Sequence, residues 1–241
     1  MAESPRLQSF VDTGWISEVL TQIKSGKEAT AYCCRASSDR GYTYLLAKVY
    51  RAQIHRNFHN DAAYREGFYI ADARYRRASR KHTKVGCQVD FGNWMSNEYN
   101  TLQTLYAAGA DVPKPLAINE NTILMEYIGD EYDPAPQLNK VSLDADEARI
   151  LFRCLIENVK LWLANNRIHA DLSPFNILYW QGKIKVIDFP QSVDPRTNSY
   201  ARMFLCRDVE NICCHFNKYG MKNDPRRIAD DLWQRYLFGY L

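Results

Sequence analysis

Apolar residues along this chain change their period several times, and each change marks a new element. Between 5 and 22, Phe10, Val11, Trp15, Ile16, Val19 and Leu20 fall near a 3.6-residue repeat, which predicts a short helix. "IKSGKEATAYCC" then reads as a turn entering a strand. "YTYLLAKVY" (42–50), rich in aromatic and branched side chains, reads as a further strand. Helical spacing returns in "WMSNEYNTLQTLYAAG" (94–109), which closes on Gly109, a residue suited to the position after a helix end. "VPKPLAI" and "TILMEYI" are strand-like, and the proline-bearing "DPAPQL" reads as a linker.

The second half opens with a stronger helix. Asp144 and Glu147 have capping-box spacing, and Leu151, Leu155, Val159 and Trp162 form one apolar stripe ending near Asn165-Asn166. A loop follows, then a hairpin of "NILYW", the turn "QG" and "KIKVID", then two or three terminal helices. The order predicts an α+β, two-lobed plan with a cleft at the junction. The expected divisions are an N-terminal helix over 1–22, a β-rich lobe over 23–129 with a basic insertion near 51–90, and an α-rich lobe over 130–241.

Composition narrows the possibilities. A chain of 241 residues is long enough to bury a core, and a net charge of +3 gives no bulk argument for nucleic acid. We expect no signal peptide, because "MAESPRLQSF" has no apolar h-region, and no membrane span, because no apolar run is long enough. The seven Cys include two adjacent pairs and no C-x-x-C, which suits a reducing cytoplasm. Cys206, Cys213, Cys214 and His215 fit no common zinc spacing and read as structural side chains.

Chemistry concentrates in "IHADLSPFNIL" (168–178) and "KVIDFPQS" (185–192). The loop between helix and hairpin is gripped at both ends, which suits reactive side chains. The hairpin folds back, so Asn176 at its start and Asp188 at its end should lie close, an oxygen-donor pair that suits Mg²⁺. Asp171 then stands ready to orient a nucleophile or accept its proton. A lone loop Asp is usually a cap or turn former, but three such groups in this order and spacing are far more specific. Lys48, mid-strand in "LLAKVY", alternates with Tyr44, Leu46 and Tyr50; if that face is covered, the ammonium needs a partner. Glu98 shares a helical face with Leu102 and Leu105 and can supply it. "KSGKEA" offers phosphates the hydroxyl of Ser25, the backbone of Gly26 and the charge of Lys27, although it is not a Walker A loop.

"HADLSPFNIL" followed by "VIDFPQS" resembles the catalytic and metal-binding loops of protein kinase-like folds, and more closely those of the RIO family of atypical kinases. "SGKEATAY", "AKVY", "NEYNTLQTL" and "ILMEYIG" resemble that family's phosphate loop, strand lysine, glutamate helix and hinge. The RIO-one branch is the expected one. The resemblance implies a kinase-like fold with a β-rich N-lobe and a truncated α-rich C-lobe, acting on ATP with Mg²⁺ as a serine/threonine kinase or ATPase. It implies that Lys48 holds the α/β-phosphates and pairs with Glu98. The backbone of Glu126 and Ile128 holds adenine behind Met125, and Ala47, Leu178 and Ile187 line the pocket. Asp171 is the implied catalytic aspartate, Asn176 and Asp188 the metal ligands, and Asp188 also the acceptor of an aspartyl-phosphate.

Departures from the ordinary kinase pattern are instructive. Ser173 stands where ordinary kinases have Lys, Pro190 makes the segment D-F-P, and no A-P-E segment follows Asp188, which weakens a peptide-phosphorylating role. Proline at 190 fixes φ and should restrict flipping of the segment. The basic stretch 51–86, with Tyr64, Tyr69 and Tyr75 among its cations, would suit RNA or a pre-ribosomal particle. A monomer is expected. Two rivals remain: a small-molecule phosphotransferase of the aminoglycoside or choline kinase type, and a non-enzymatic, nucleotide-gated assembly factor.

Overall fold

The computed structural model describes residues 7–26, 28–51, 63–64, 84–131 and 133–241. The chain forms two compact units. The first gathers Met1–Asn57, Ile70–Tyr99 and Pro113–Pro134; the second gathers Phe58–Tyr69, Asn100–Val112 and Ala135–Leu241. The plan is α+β, with a sheet-bearing first unit and a mainly helical second one.

The first unit begins with a helix much shorter than the apolar pattern suggested. α1 spans only Gln8–Asp12, and strand β1 runs Ile16–Ser25. Gly14 is the reason. It adopts φ +67°, its N–H donates to Val11 O at 2.9 Å, and the N–H of Trp15 donates to Phe10 O at 2.9 Å. This is a Schellman stop. The guanidinium of Arg40 then binds the carbonyls of Thr13 and Gly14 and lies 4.3 Å from the Trp15 ring.

β2 (Ala29–Ala36), β3 (Tyr44–Tyr50), β4 (Pro115–Ile118) and β5 (Thr122–Glu126) complete an antiparallel sheet in the order β1-β2-β3-β5-β4. Strand alternation sorts β3 into two faces. Leu45, Ala47 and Val49 join Leu7, Phe10, Ile16, Cys34 and Leu124 in one buried cluster. Leu46, Lys48 and Tyr50 take the other parity. α2 runs Lys84–Ala107 and passes from the first unit into the second, and Gly109 follows it at φ +86°.

In the second unit, α3 (Ala145–Ala164) is capped by Asp144, whose carboxylate accepts the N–H groups of Asp146 and Glu147. Leu151, Leu155, Val159 and Trp162 are buried along it, each worth about 1.5–3 kcal/mol of transfer free energy. The hairpin is β6 (Ile177–Trp180) and β7 (Lys183–Val186), with Gln181 and Gly182 both at positive φ as a type I′ turn requires. α4 (Ala201–Asn217) and α5 (Pro225–Leu237) follow. Among the cysteines of α4, Cys213 is buried while Cys214 is exposed, so the structural reading fits the first and not the second. Among the described residues no helix is long and apolar enough to cross a membrane, and no group of three His, Cys, Asp or Glu side chains converges as a metal site.

Candidate active site

Each unit carries its own set of functional groups. In the first, Lys48 projects from β3 and its Nζ lies 2.7 Å from Glu98 Oε1. Glu98 is almost entirely buried at 1 % side-chain exposure, so the pair satisfies the ammonium as the strand pattern required. Tyr50, two residues along the same face, donates its hydroxyl to Glu98 Oε2 and packs edge-on against Trp94, one turn earlier on α2. Two donors therefore hold both oxygens of one buried carboxylate. Removing one partner of such a pair typically costs about 3–5 kcal/mol.

Met125 is buried in β5, opposite Leu46 in the ladder. The N–H of Glu126 donates to Lys114 O at 2.9 Å, so that donor is engaged within the first unit. Ala47 needs correction: it is fully buried in the cluster under the sheet, on the face opposite Lys48. Leu46, two residues before Lys48 and only partly buried, lies on the same face of the strand as that lysine. Ser25 and Gly26 lie at the β1–β2 turn. Gly26 donates its N–H to Ala29 O at 2.9 Å, and Ser25 Oγ accepts from Arg51 at 2.6 Å. In this state the Gly26 N–H closes the turn rather than facing a ligand. Lys27 lies outside the described residues.

The second unit brings Asp171, Asn176 and Asp188 together. Asn176 Nδ2 donates to Asp171 O at 2.9 Å, which orients the amide with Oδ1 as its remaining acceptor. The N–H of Ile187 donates to Asn176 O at 2.9 Å, joining the start of the hairpin to its end, as the fold-back predicted. Asp188 follows at φ +73°, a left-handed conformation that Asp visits more readily than most residues. Leu178 and Ile187 are partly buried beside this loop.

Asp171 is exposed as a residue, yet its carboxyl is held above the usual carboxylate range, first by desolvation against the loop and then by the negative Asp188. Arg207 and the Asn176 amide near the carboxyl oppose the rise. Two carboxylates that repel each other next to an oriented amide oxygen form a hard, oxygen-rich donor set, chemically suited to Mg²⁺. That ion takes one or two protein ligands and completes its shell with phosphate and water.

Sequence reading missed the residues that hold this loop. His169 is buried against Phe189 and Trp162, with Nε2 3.1 Å from Ile187 O and Nδ1 accepting the Asp171 N–H at 3.3 Å. Asp208 of α4 accepts the N–H of Ala170 at 2.8 Å and of Leu172 at 3.0 Å, bracketing Asp171. Burial pushes the pKa of Asp208 up to about 7 against the pull of those donors. Asn211, one turn on, donates to Leu172 O at 2.9 Å. The available signal was an acid inside the apolar stripe of a helix, between Phe204, Leu205, Val209 and Ile212.

The sequence profile described as RIO domain matches residues 30–228. The chain belongs to the RIO domain family. It is 36% identical over 137 residues to the RIO-type serine/threonine-protein kinase Rio1 of Thermoplasma acidophilum, covering 57% of this chain and 70% of that protein. It is 29% identical over 217 residues to the serine/threonine-protein kinase rio1 of Schizosaccharomyces pombe, covering 88% of this chain and 41% of that protein. Human serine/threonine-protein kinase RIO3 is 25% identical over 225 residues, with 90% and 42% covered. The RIO chain described here thus spans less than half the length of these eukaryotic relatives. Among solved structures, the Rio2 kinase-ADP/Mg²⁺-phosphoaspartate complex from Chaetomium thermophilum shares its fold at a TM-score of 0.68 and 22% identity, covering 94% of this chain and 63% of that one.

Proposed function

We propose that this RIO domain is an atypical serine/threonine kinase or ATPase that transfers the γ-phosphoryl group of ATP with Mg²⁺. The observation that carries the reading is the gathering of Asp171, Asn176 and Asp188, tied by the Asn176 amide's bond to Asp171 O and the Ile187–Asn176 backbone bond. Relatives named RIO-type kinases and the ADP/Mg²⁺-phosphoaspartate state of a structural neighbour support it. We place the chain nearest the RIO-one branch, on the relatives of 29–36% identity that carry that name.

Lys48, held by Glu98, contributes a fixed positive charge to the α/β-phosphates. The backbone of Glu126 and Ile128, in the first unit, holds adenine, with Leu46 as an apolar contact. Bound to Asn176 and Asp188, Mg²⁺ would neutralise charge on the phosphates. Asp171 orients the attacking oxygen, from water or a hydroxyl, and accepts its proton. Asp188 offers a second route, in which a carboxylate oxygen forms a bond to the γ-phosphorus. The bond from that phosphorus to the β–γ bridging oxygen breaks, and ADP departs with the electron pair. Water then cleaves the acyl phosphate and restores Asp188. RNA contact by the basic 51–86 stretch remains part of the proposal; most of that stretch lies outside the described residues.

The test mixes the protein with γ-labelled ATP and Mg²⁺, quenches, and asks whether the protein-bound label is released by hydroxylamine. Hydroxylamine-labile label that is absent from Asp188→Asn supports the aspartyl-phosphate cycle. Stable label on Ser or Thr supports transfer to a hydroxyl. ATP binding with neither label nor free phosphate would replace catalysis with a nucleotide-gated binding role.

A further inference from the structure

Two described residues of the basic stretch, Ala63 and Tyr64, pack on α4 within the second unit. Tyr64 stacks on Phe204 with ring centroids 4.7 Å apart and planes 16° from parallel. Ala63 O accepts from Asn198 Nδ2 at 2.7 Å. Arg207 Nη2 donates to the Tyr64 hydroxyl at 2.9 Å, and the guanidinium carbon lies 5.8 Å from the Tyr64 centroid and 5.1 Å from that of Phe204. The same Nη2 donates to the carbonyl of Ala170.

Ala170 makes that contact consequential. It holds φ +64°, a conformation that costs an L-residue with a Cβ about 1–2 kcal/mol. Its N–H is held by Asp208 and its carbonyl by Arg207, both from α4. The peptide unit leading into Asp171 is therefore gripped at its oxygen by a cation that a tyrosine, distant in sequence, keeps in place. Arg207 is long and only partly buried. Without the ring and hydroxyl of Tyr64, its fork has more rotamers to sample and less time on the carbonyl.

We propose that Tyr64 and Arg207 are positioning residues for the catalytic loop: Tyr64 latches Arg207 onto the Ala170 carbonyl, coupling Tyr64 to the placement of Asp171. The inference rests on the kinase or ATPase reading for its effect on turnover, but not for its effect on the loop.

The experiment uses the full chain with Tyr64→Phe, Tyr64→Ala, Arg207→Ala and the double variant Tyr64→Ala/Arg207→Ala, with Met203→Ala as an exposed control on the same helix. Amide hydrogen exchange of the peptide covering 168–173 is read first and needs no ATP. Tyr64→Ala should speed it roughly tenfold, with exchange in α3 unchanged. Turnover of ATP should fall roughly fivefold in Tyr64→Ala and less in Tyr64→Phe, which keeps the stacking, with KM for ATP unchanged in both. In the Arg207→Ala background, Tyr64→Ala should add less than about twofold, because it acts through Arg207. Wild-type exchange in Tyr64→Ala, a rise in KM alone, or effects that simply multiply would overturn the latch. A wild-type protein without ATP turnover would overturn the catalytic reading instead, and the exchange experiment would still decide the latch.

Discussion

The two units hold their functional groups by different means. In the first, Lys48 and Glu98 come from a strand and a helix, so the sheet ladder and the helix set their positions and a 2.7 Å ion pair joins them. In the second, Asp171, Asn176 and Asp188 sit on irregular backbone, with Ala170 and Asp188 at positive φ, and the loop is kept in shape by side chains of α4. A regular element positions a charge through its own repeat. A loop needs borrowed hydrogen bonds to do the same, and each lender becomes a point of failure.

The contrast can be broken by mutation. The largest effects belong to the loop's own chemistry. Asp188→Asn should abolish acyl-phosphate label, and Asp171→Ala should lower ATP turnover by about 10²–10⁴-fold in a steady-state assay. Next comes the buried pair. Lys48→Met leaves the Glu98 carboxylate with Tyr50 as its remaining partner in the pair described, and should cost about 3–5 kcal/mol in denaturant unfolding. Because Tyr50 still donates, the lower end of that range is expected.

Asp208 gives the comparison a pH axis. Its folded pKa, about 7, lies above the ordinary carboxylate value. Between the two values the folded state binds more protons than the unfolded one, so this group's contribution to stability falls as pH rises from about 4 to about 7 and is flat above. Asp208→Asn should remove that slope, worth on the order of a few kcal/mol, from unfolding free energies measured across the window. A wild-type slope surviving in the variant would place the titration elsewhere. The smallest effect is expected far from either site: Asp144→Ala removes the cap of α3 and should cost about 1 kcal/mol, a shift of a few degrees in thermal unfolding.

How much of this could be read from the sequence follows the same division. β3, the inward Lys48, its partner Glu98 and the capped α3 were visible because period and capping are local properties. The first helix stops short of its apolar pattern because Trp15, Ile16, Val19 and Leu20 suit either period over a short run, and Gly14 decides between them. Ala47 failed for the opposite reason. Resemblance set it in the adenine pocket, while strand parity, available in the same six residues, placed Leu46 beside Lys48. Asp208, His169 and Arg207 stayed hidden because their partners are backbone groups of a loop some forty residues or fewer away, and no periodicity records such a contact.

The left-handed backbone at Asp188 also has an evolutionary side. Asn and Gly enter that conformation at least as easily as Asp, so a change to either removes the Asp188 carboxylate while leaving the turn intact. Glu, though chemically nearer, brings a side chain that does not favour the turn. The carboxylate and the turn that carries it are thus separable by a single substitution.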